Sequence, residues 1–153
     1  MHFSLLVFDL DFTLWDAGGT WCDHTSPPYH RINNHVVDSE GSTIFLYPEV
    51  KPLLHKLSKD LILAIASRTY RPEWAKELMK LFGIDQYFRY MEIYPGSKTG
   101  HFHQLQYRSK IPFGEMLFFD DEMRNVEEVA RLGVTSVLVN EGITGNIVFG
   151  NLQ

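Results

Sequence analysis

Apolar runs alternate with helical stripes along the chain. Ser4–Phe8 (SLLVF) is apolar at successive positions, which predicts a strand buried on both faces. Leu61–Ala66 (LILAIA), Met116–Phe119 (MLFF) and Val134–Val139 (VTSVLV) repeat that pattern, and Tyr87–Tyr94 has room for a shorter strand. Between them the period becomes helical. Val50, Leu53, Leu54 and Leu57 fall at i, i+3, i+4, i+7, with Pro48 taken as the first helical position. Trp74, Ala75, Leu78, Met79 and Phe82 make a second inward stripe, opened by Pro72 and stopped by Gly83. Residues 99–108 read as a weaker helix, and Val126, Val129 and Ala130 as another, stopped by Gly133.

Strands alternating with helices predict an α/β layered fold around a mainly parallel sheet. Residues 16–47 break the pattern, being rich in Gly, Pro, Asn, Ser and His. Residues 35–47 (HVVDSEGSTIFLY) suggest a hairpin turning at Asp38–Gly41. This stretch is too short for a second domain and is predicted to be a flap inserted after the first strand, within a single domain over residues 1–153.

Composition narrows the class. The 153 residues are 44% hydrophobic and 14% aromatic, a globular balance, and carry a net charge of −5. An acidic chain argues against a nucleic-acid or anionic-membrane partner. No apolar run approaches the roughly 20 residues of a membrane span, and no signal-peptide pattern precedes Asp9. Cys22 is the lone cysteine, so no internal disulfide forms, and a reducing, cytoplasmic setting is expected. No obligatory protein partner is evident.

The chemistry gathers at predicted strand ends, where ligands bind in open parallel sheets. Asp9 and Asp11 follow the first strand, Ser67 the second and Asp120–Asp121 the fourth. If the chain stays extended, Asp9 and Asp11 share a face. Carboxylates crowded this way repel unless a cation or a shared proton relieves them, and Mg²⁺ suits such oxygen ligands. Phosphoryl transfer uses this kind of site: one carboxylate attacks phosphorus, another moves the proton, and a cation and a lysine offset the phosphoryl charge. Lys98 and Ser67 are candidates for the lysine and for a phosphate-holding hydroxyl. Each residue alone also has an ordinary role: an aspartate after a strand caps a turn or helix, Ser67 fits a turn, and Lys98 fits a solvated surface. Their joint placement is what points to chemistry.

FDLDFT (Asp9, Asp11, Thr13), ASRT (Ser67, Arg68), Lys98 in GSKTGHF, and FFDDEMRN (Asp120, Asp121, Asn125) occur in that order. They resemble the four motifs of the haloacid dehalogenase superfamily of aspartyl phosphotransferases. FDLDFTLW, the GSKTGHFHQL stretch and LGVTSVLV are similar to the magnesium-dependent phosphatase-1 family. The resemblance covers nearly the whole chain and implies a three-layer Rossmann-like core without a large cap domain. It implies Asp9 as nucleophile and Asp11 as general acid/base. Mg²⁺ would be held by the Asp9 carboxylate, the Asp11 backbone carbonyl and Asp121, with Asp120 behind them or linked through water. It implies Ser67 and Lys98 on phosphate, Lys98 also pairing with Asp9, and lesser roles for Arg68 on substrate, Asn125 on the acidic cluster and Thr13 on the loop. The second aspartate favours phosphate-ester hydrolysis over dehalogenation. The implied substrates are small sugar phosphates, including phosphorylated glycated amines, or phosphotyrosine.

Two other classes are consistent with parts of the pattern. A receiver-type signalling domain also combines acidic strand ends, Mg²⁺ and a lysine, but its acidic pair comes early and here it comes late. A catalytically idle relative would keep the fold as a binding module. His24, His30 and His35 in the flap match no standard zinc spacing. With Trp15, Trp21 and Tyr29 they are expected to line the mouth of the site or pack the flap, and His101 and His103 flank Phe102 near Lys98.

Overall fold

The computed structural model describes residues 2–153. Strand β1 (Leu5–Phe8) leads into a second sheet made of β2 (Trp15–Asp16), β3 (His30–Ile32), β4 (His35–Val37) and β5 (Thr43–Leu46). Helix α1 (Val50–Leu57), β6 (Ile62–Ser67), α2 (Pro72–Phe82), β7 (Tyr90–Ile93), α3 (Lys98–Ser109), β8 (Met116–Asp120), α4 (Met123–Ala130), β9 (Thr135–Leu138) and α5 (Gly145–Leu152) follow. The main sheet has the order β7-β6-β1-β8-β9 and all its pairings are parallel. The chain builds outward from β1 to β7, then returns to add β8 and β9 on the other side. The carboxyl end of β1 is therefore the switch point, the position where a crevice opens in such sheets.

Successive residues of the central strands serve opposite layers. Leu6 and Phe8, Leu63 and Ile65, and Leu117 and Phe119 pack against Leu54 of α1, Leu78 of α2 and Val148 of α5. Leu5 and Val7, Ala64 and Ala66, and Met116 and Phe118 pack against Phe102 and Leu105 of α3 and Val129 of α4. This is a three-layer α/β fold, as the alternation of buried runs and helical stripes predicts.

The second sheet is antiparallel, in the order β2-β5-β4-β3. The β4–β5 hairpin turns where the sequence places it. The Asp38 carboxylate accepts backbone N–H bonds from Ser26, Glu40 and Ser42 at 2.9, 3.0 and 2.8 Å. Burial would raise the Asp38 pKa, but these N–H groups together hold it below the ordinary carboxylate value. Val36 and Ile44 bury the inner face of this sheet in the core beside α2.

Some expectations are corrected. Pro48 lies in the turn before α1, which begins at Val50; its first-turn proline is Pro52, where no intrahelical N–H bond is lost. Ala130 is exposed at the end of α4, whose stripe is completed by Asn125 instead. Gly83 does stop α2, at a left-handed φ of 73° that suits glycine.

Candidate active site

Asp9 continues from β1, its N–H donating to the Phe119 carbonyl at 3.0 Å. The chain then turns sharply rather than staying extended. The Leu10 carbonyl accepts N–H bonds from Thr13, Leu14 and Trp15, and Phe12 takes a left-handed φ of 64°. This turn, not strand alternation, brings the carboxylates of Asp9 and Asp11 to the same cleft. The Thr13 hydroxyl donates to Asp9 Oδ2 at 3.1 Å and so steadies it.

The Lys98 ammonium opposes Asp9 from the first turn of α3. It is 1% exposed and lies 2.8 Å from Asp9 Oδ1 and 2.6 Å from Asp120 Oδ2. Burial alone would lower its pKa, and the two carboxylates more than reverse that, so it stays charged. Asp120, at the end of β8, is fully engaged. Its Oδ2 also accepts from Asn125 Nδ2 at 3.1 Å and its Oδ1 from the Glu122 N–H at 2.9 Å. Asn125 in turn accepts from Arg68 Nη1 at 3.1 Å, joining the end of β6 to the acidic cluster. Asp121 is less buried and lines the cleft directly. Ser67 ends β6 at the same cleft, its Oγ accepting the Thr69 N–H at 3.3 Å.

These residues surround a cleft of about 370 Å³. Asp9, Asp120 and Asp121 each present a carboxylate oxygen, all within 4.8 Å of one another. The Asp9 pKa is raised by burial and by Asp120, against the pull of Lys98. That of Asp121 is raised by burial, Asp9 and Asp120. One lysine does not neutralise three crowded carboxylates, and an all-oxygen donor set of this size fits a hard divalent cation such as Mg²⁺. Asp11 is set apart from the cluster. Its Oδ1 accepts from Trp15 Nε1 and from the Cys22 N–H, both at 2.8 Å. Burial raises its pKa to about 7, so near neutral pH it both holds and releases a proton.

Thus Asp9, Asp11, Ser67, Arg68, Lys98, Asp121 and Asn125 line one cleft, with Asp120 bracing it. The flap aromatics and histidines divide between the two places expected of them. Trp15, its indole on Asp11, and Tyr29, its hydroxyl against Thr25, are buried and pack the flap. Trp21 and His24 do line the cleft, whereas His30 and His35 belong to β3 and β4 away from it. His103 is exposed against Phe113. His101 is buried and stacks on Tyr94 at 4.2 Å. Its ring nitrogens meet the carbonyls of Ser97, Ser67 and Tyr94 at 3.1, 2.9 and 2.7 Å, so it ties the Ser67 strand end to the Lys98 turn. Asp23, Tyr70, Glu122 and Arg124 also line the cleft. Tyr70 and Glu122 sit in loops, Asp23 in the short helical turn Cys22–His24 and Arg124 in the first turn of α4, none on a buried stripe; only their closeness to Cys22, Ser67 and Asp121 in sequence marked them.

The fold has counterparts among solved structures. A haloacid dehalogenase superfamily hydrolase from Geobacter sulfurreducens superposes with a TM-score of 0.72 at 12% identity, covering 99% of this chain and 100% of that one. A haloacid dehalogenase family enzyme from Bacteroides thetaiotaomicron, crystallised with magnesium and inorganic phosphate, superposes with a TM-score of 0.67 at 14% identity, covering 96% and 99%. The fold is that of the haloacid dehalogenase-like hydrolases. A family model described as Acid Phosphatase matches residues 2–153. Human magnesium-dependent phosphatase 1 is 46% identical over 143 residues, covering 92% of this chain and 80% of that protein. A HAD-like hydrolase superfamily protein of Schizosaccharomyces pombe is 38% identical over 144 residues, covering 85% and 81%. The chain belongs to the acid phosphatase family of haloacid dehalogenase-like enzymes and is a phosphatase of the magnesium-dependent phosphatase-1 type.

Proposed function

We propose that this phosphatase hydrolyses phosphate monoesters through an aspartyl phosphate on Asp9, with Asp11 as general acid and then base. The observation that carries this reading is the contrast between two neighbouring carboxylates. Asp9 is paired with the buried Lys98 ammonium at 2.8 Å, whereas Asp11 is held by one oxygen with its pKa near 7. Asp9 attacks phosphorus, and the bond to the leaving oxygen breaks as Asp11 delivers its proton there. Asp11, now ionised, takes a proton from water as that water attacks the acyl phosphate, which releases phosphate and restores both carboxyls. Lys98, Ser67 and the Arg68 guanidinium hold the phosphoryl oxygens, and Asn125 fixes Arg68 against Asp120.

The cofactor in this reading is Mg²⁺, held by the Asp9 carboxylate, the Asp11 carbonyl and Asp121, with Asp120 braced behind by Lys98 and Asn125. When bound it neutralises the acidic cluster and offsets charge on the phosphoryl group. Residues 1–153 act as one catalytic domain with 16–47 as a flap beside the site. The substrates are small sugar phosphates or phosphotyrosine. Among the described residues no helix is long and apolar enough to cross a membrane, and the lone buried Cys22 suits a cytoplasmic setting.

The test is hydrolysis of para-nitrophenyl phosphate with Mg²⁺ and with EDTA, alongside Asp9→Asn. Turnover that needs Mg²⁺ and is lost in Asp9→Asn is the expected result. Full activity in Asp9→Asn would remove Asp9 as nucleophile, and a folded protein with no turnover would favour a binding module.

A further inference from the structure

The short helical turn Cys22–His24 carries Asp23 into the cleft beside the general acid. The Cys22 N–H is bound to Asp11 Oδ1, so this turn stands on the side where the leaving group departs. Asp23 is placed oddly for an anion-binding cleft. Its side chain is only 13% exposed, and Oδ2 accepts a single long bond, from the Tyr70 N–H at 3.3 Å. Oδ1 is shielded from solvent and has no hydrogen-bond partner. His24 Nε2 stands 3.8 Å away, too far for a hydrogen bond, on a side chain 58% exposed. His24 lines the same cleft and leaves Oδ1 unsatisfied. A carboxylate has room for several donors, and leaving one buried and unsatisfied beside a phosphate site is costly twice over, through desolvation and through repulsion of the phosphate.

We infer that Asp23 is a specificity-determining residue that accepts a hydrogen bond from a hydroxyl or ammonium group on the substrate's leaving group. This rests on the phosphatase reading of the same cleft. The surrounding rim agrees with such a group. Trp21 and Tyr70, 44% and 75% exposed, offer aromatic surface at the mouth. A leaving group with polar donors on an apolar ring skeleton has a partner there for each of its faces. A plain aryl or alkyl phosphate leaves Asp23 unsatisfied and gains nothing from it. A site built to bond a substrate hydroxyl discriminates strongly against an analogue lacking it, because its own polar group is then stranded.

The experiment compares kcat/KM for glucose 6-phosphate and for cyclohexylmethyl phosphate, which has a similar ring skeleton without hydroxyls, at saturating Mg²⁺. Glucosamine 6-phosphate is added to separate an ammonium donor from a hydroxyl. The wild type is expected to favour the donor-bearing esters by about tenfold or more. Asp23→Ala is expected to bring that ratio close to one. The isosteric Asp23→Asn, which keeps an acceptor but loses the charge, is expected to fall between, and it carries the test if the alanine variant does not fold. A larger loss for glucosamine 6-phosphate than for glucose 6-phosphate in Asp23→Asn identifies the ammonium as the donor, and equal losses identify a hydroxyl. A wild type that does not distinguish the pair, or a ratio unchanged in both variants, overturns the inference. If the wild type hydrolyses none of these esters and not para-nitrophenyl phosphate either, the phosphatase reading fails and takes the inference with it.

Discussion

Trp15→Phe isolates one hydrogen bond to Asp11, the general acid of the proposed mechanism. The indole Nε1–H lies 2.8 Å from Asp11 Oδ1, and the ring packs 6.1 Å from Phe82. Phenylalanine keeps most of that packing and removes the donor. A hydrogen bond to a charged group contributes about 1.5–3 kcal/mol. The Cys22 N–H stays on the same oxygen, and protonated Asp11 also accepts the bond, so the differential loss for the ionised form is about 1–2 kcal/mol. At about 1.4 kcal/mol per unit this raises the Asp11 pKa by roughly one unit. The direction matches the physical causes: burial raises this pKa and the Trp15 bond lowers it, so losing the bond raises it further. In the proposed mechanism the leaving group of para-nitrophenyl phosphate needs little help, so breakdown of the acyl phosphate would limit turnover and require ionised Asp11. The ascending limb of kcat against pH then reports Asp11. At saturating Mg²⁺ in both proteins, that limb is expected to move up by about one unit in Trp15→Phe, lowering kcat about tenfold below the limb. A limb that stays in place, or moves down, would refute the assignment of Asp11 and the role of Trp15 in tuning it.

Other consequences are measurable on the same protein. Lys98→Met strips the buried cation from Asp9 and Asp120, and removing one partner of a buried pair typically destabilises by about 3–5 kcal/mol. Urea titration without metal should show that loss at pH 8 and a smaller one near pH 5, because the raised Asp9 pKa lets a proton replace the missing charge as pH falls. Asp38→Ala should cost about 1–3 kcal/mol at pH 7 by stranding hairpin N–H groups. Because the folded pKa of Asp38 is depressed, its contribution is full above the unfolded value of about 3.9 and is lost as pH falls through the folded value, so wild type and variant should converge in acid. Mg²⁺ should raise Tm, and the rise should shrink in Asp121→Asn, read by calorimetry with and without EDTA.

Much of this was legible in the sequence, for identifiable reasons. Buried parallel strands read as unbroken apolar runs, and LLVF, ILAIAS and MLFFD occupy the centre of the sheet. The residues that close each strand are polar by necessity, so the site declared itself at Asp9, Ser67 and Asp120. What escaped is made by loops. The common facing of Asp9 and Asp11 comes from a turn around the Leu10 carbonyl, which no periodicity encodes. Strand β3 (HRI) is exposed throughout, and α5 (GNIVFGNL) contains two glycines that weaken its pattern, so neither stood out. Trp15 and His101 act through bonds to Asp11 and to the carbonyls of Ser67, Tyr94 and Ser97, and a sequence shows their chemistry without showing what they touch.

The claim on which the rest depends is a covalent phosphate on Asp9. Rapid acid quench during turnover of para-nitrophenyl phosphate with Mg²⁺, followed by peptide mass spectrometry, measures it directly. The account predicts one added phosphoryl group on Asp9, labile to hydroxylamine and absent in Asp9→Asn. Turnover with the phosphoryl group on another residue, or with none trapped on any residue while the Asp11 limb still governs the rate, would contradict it.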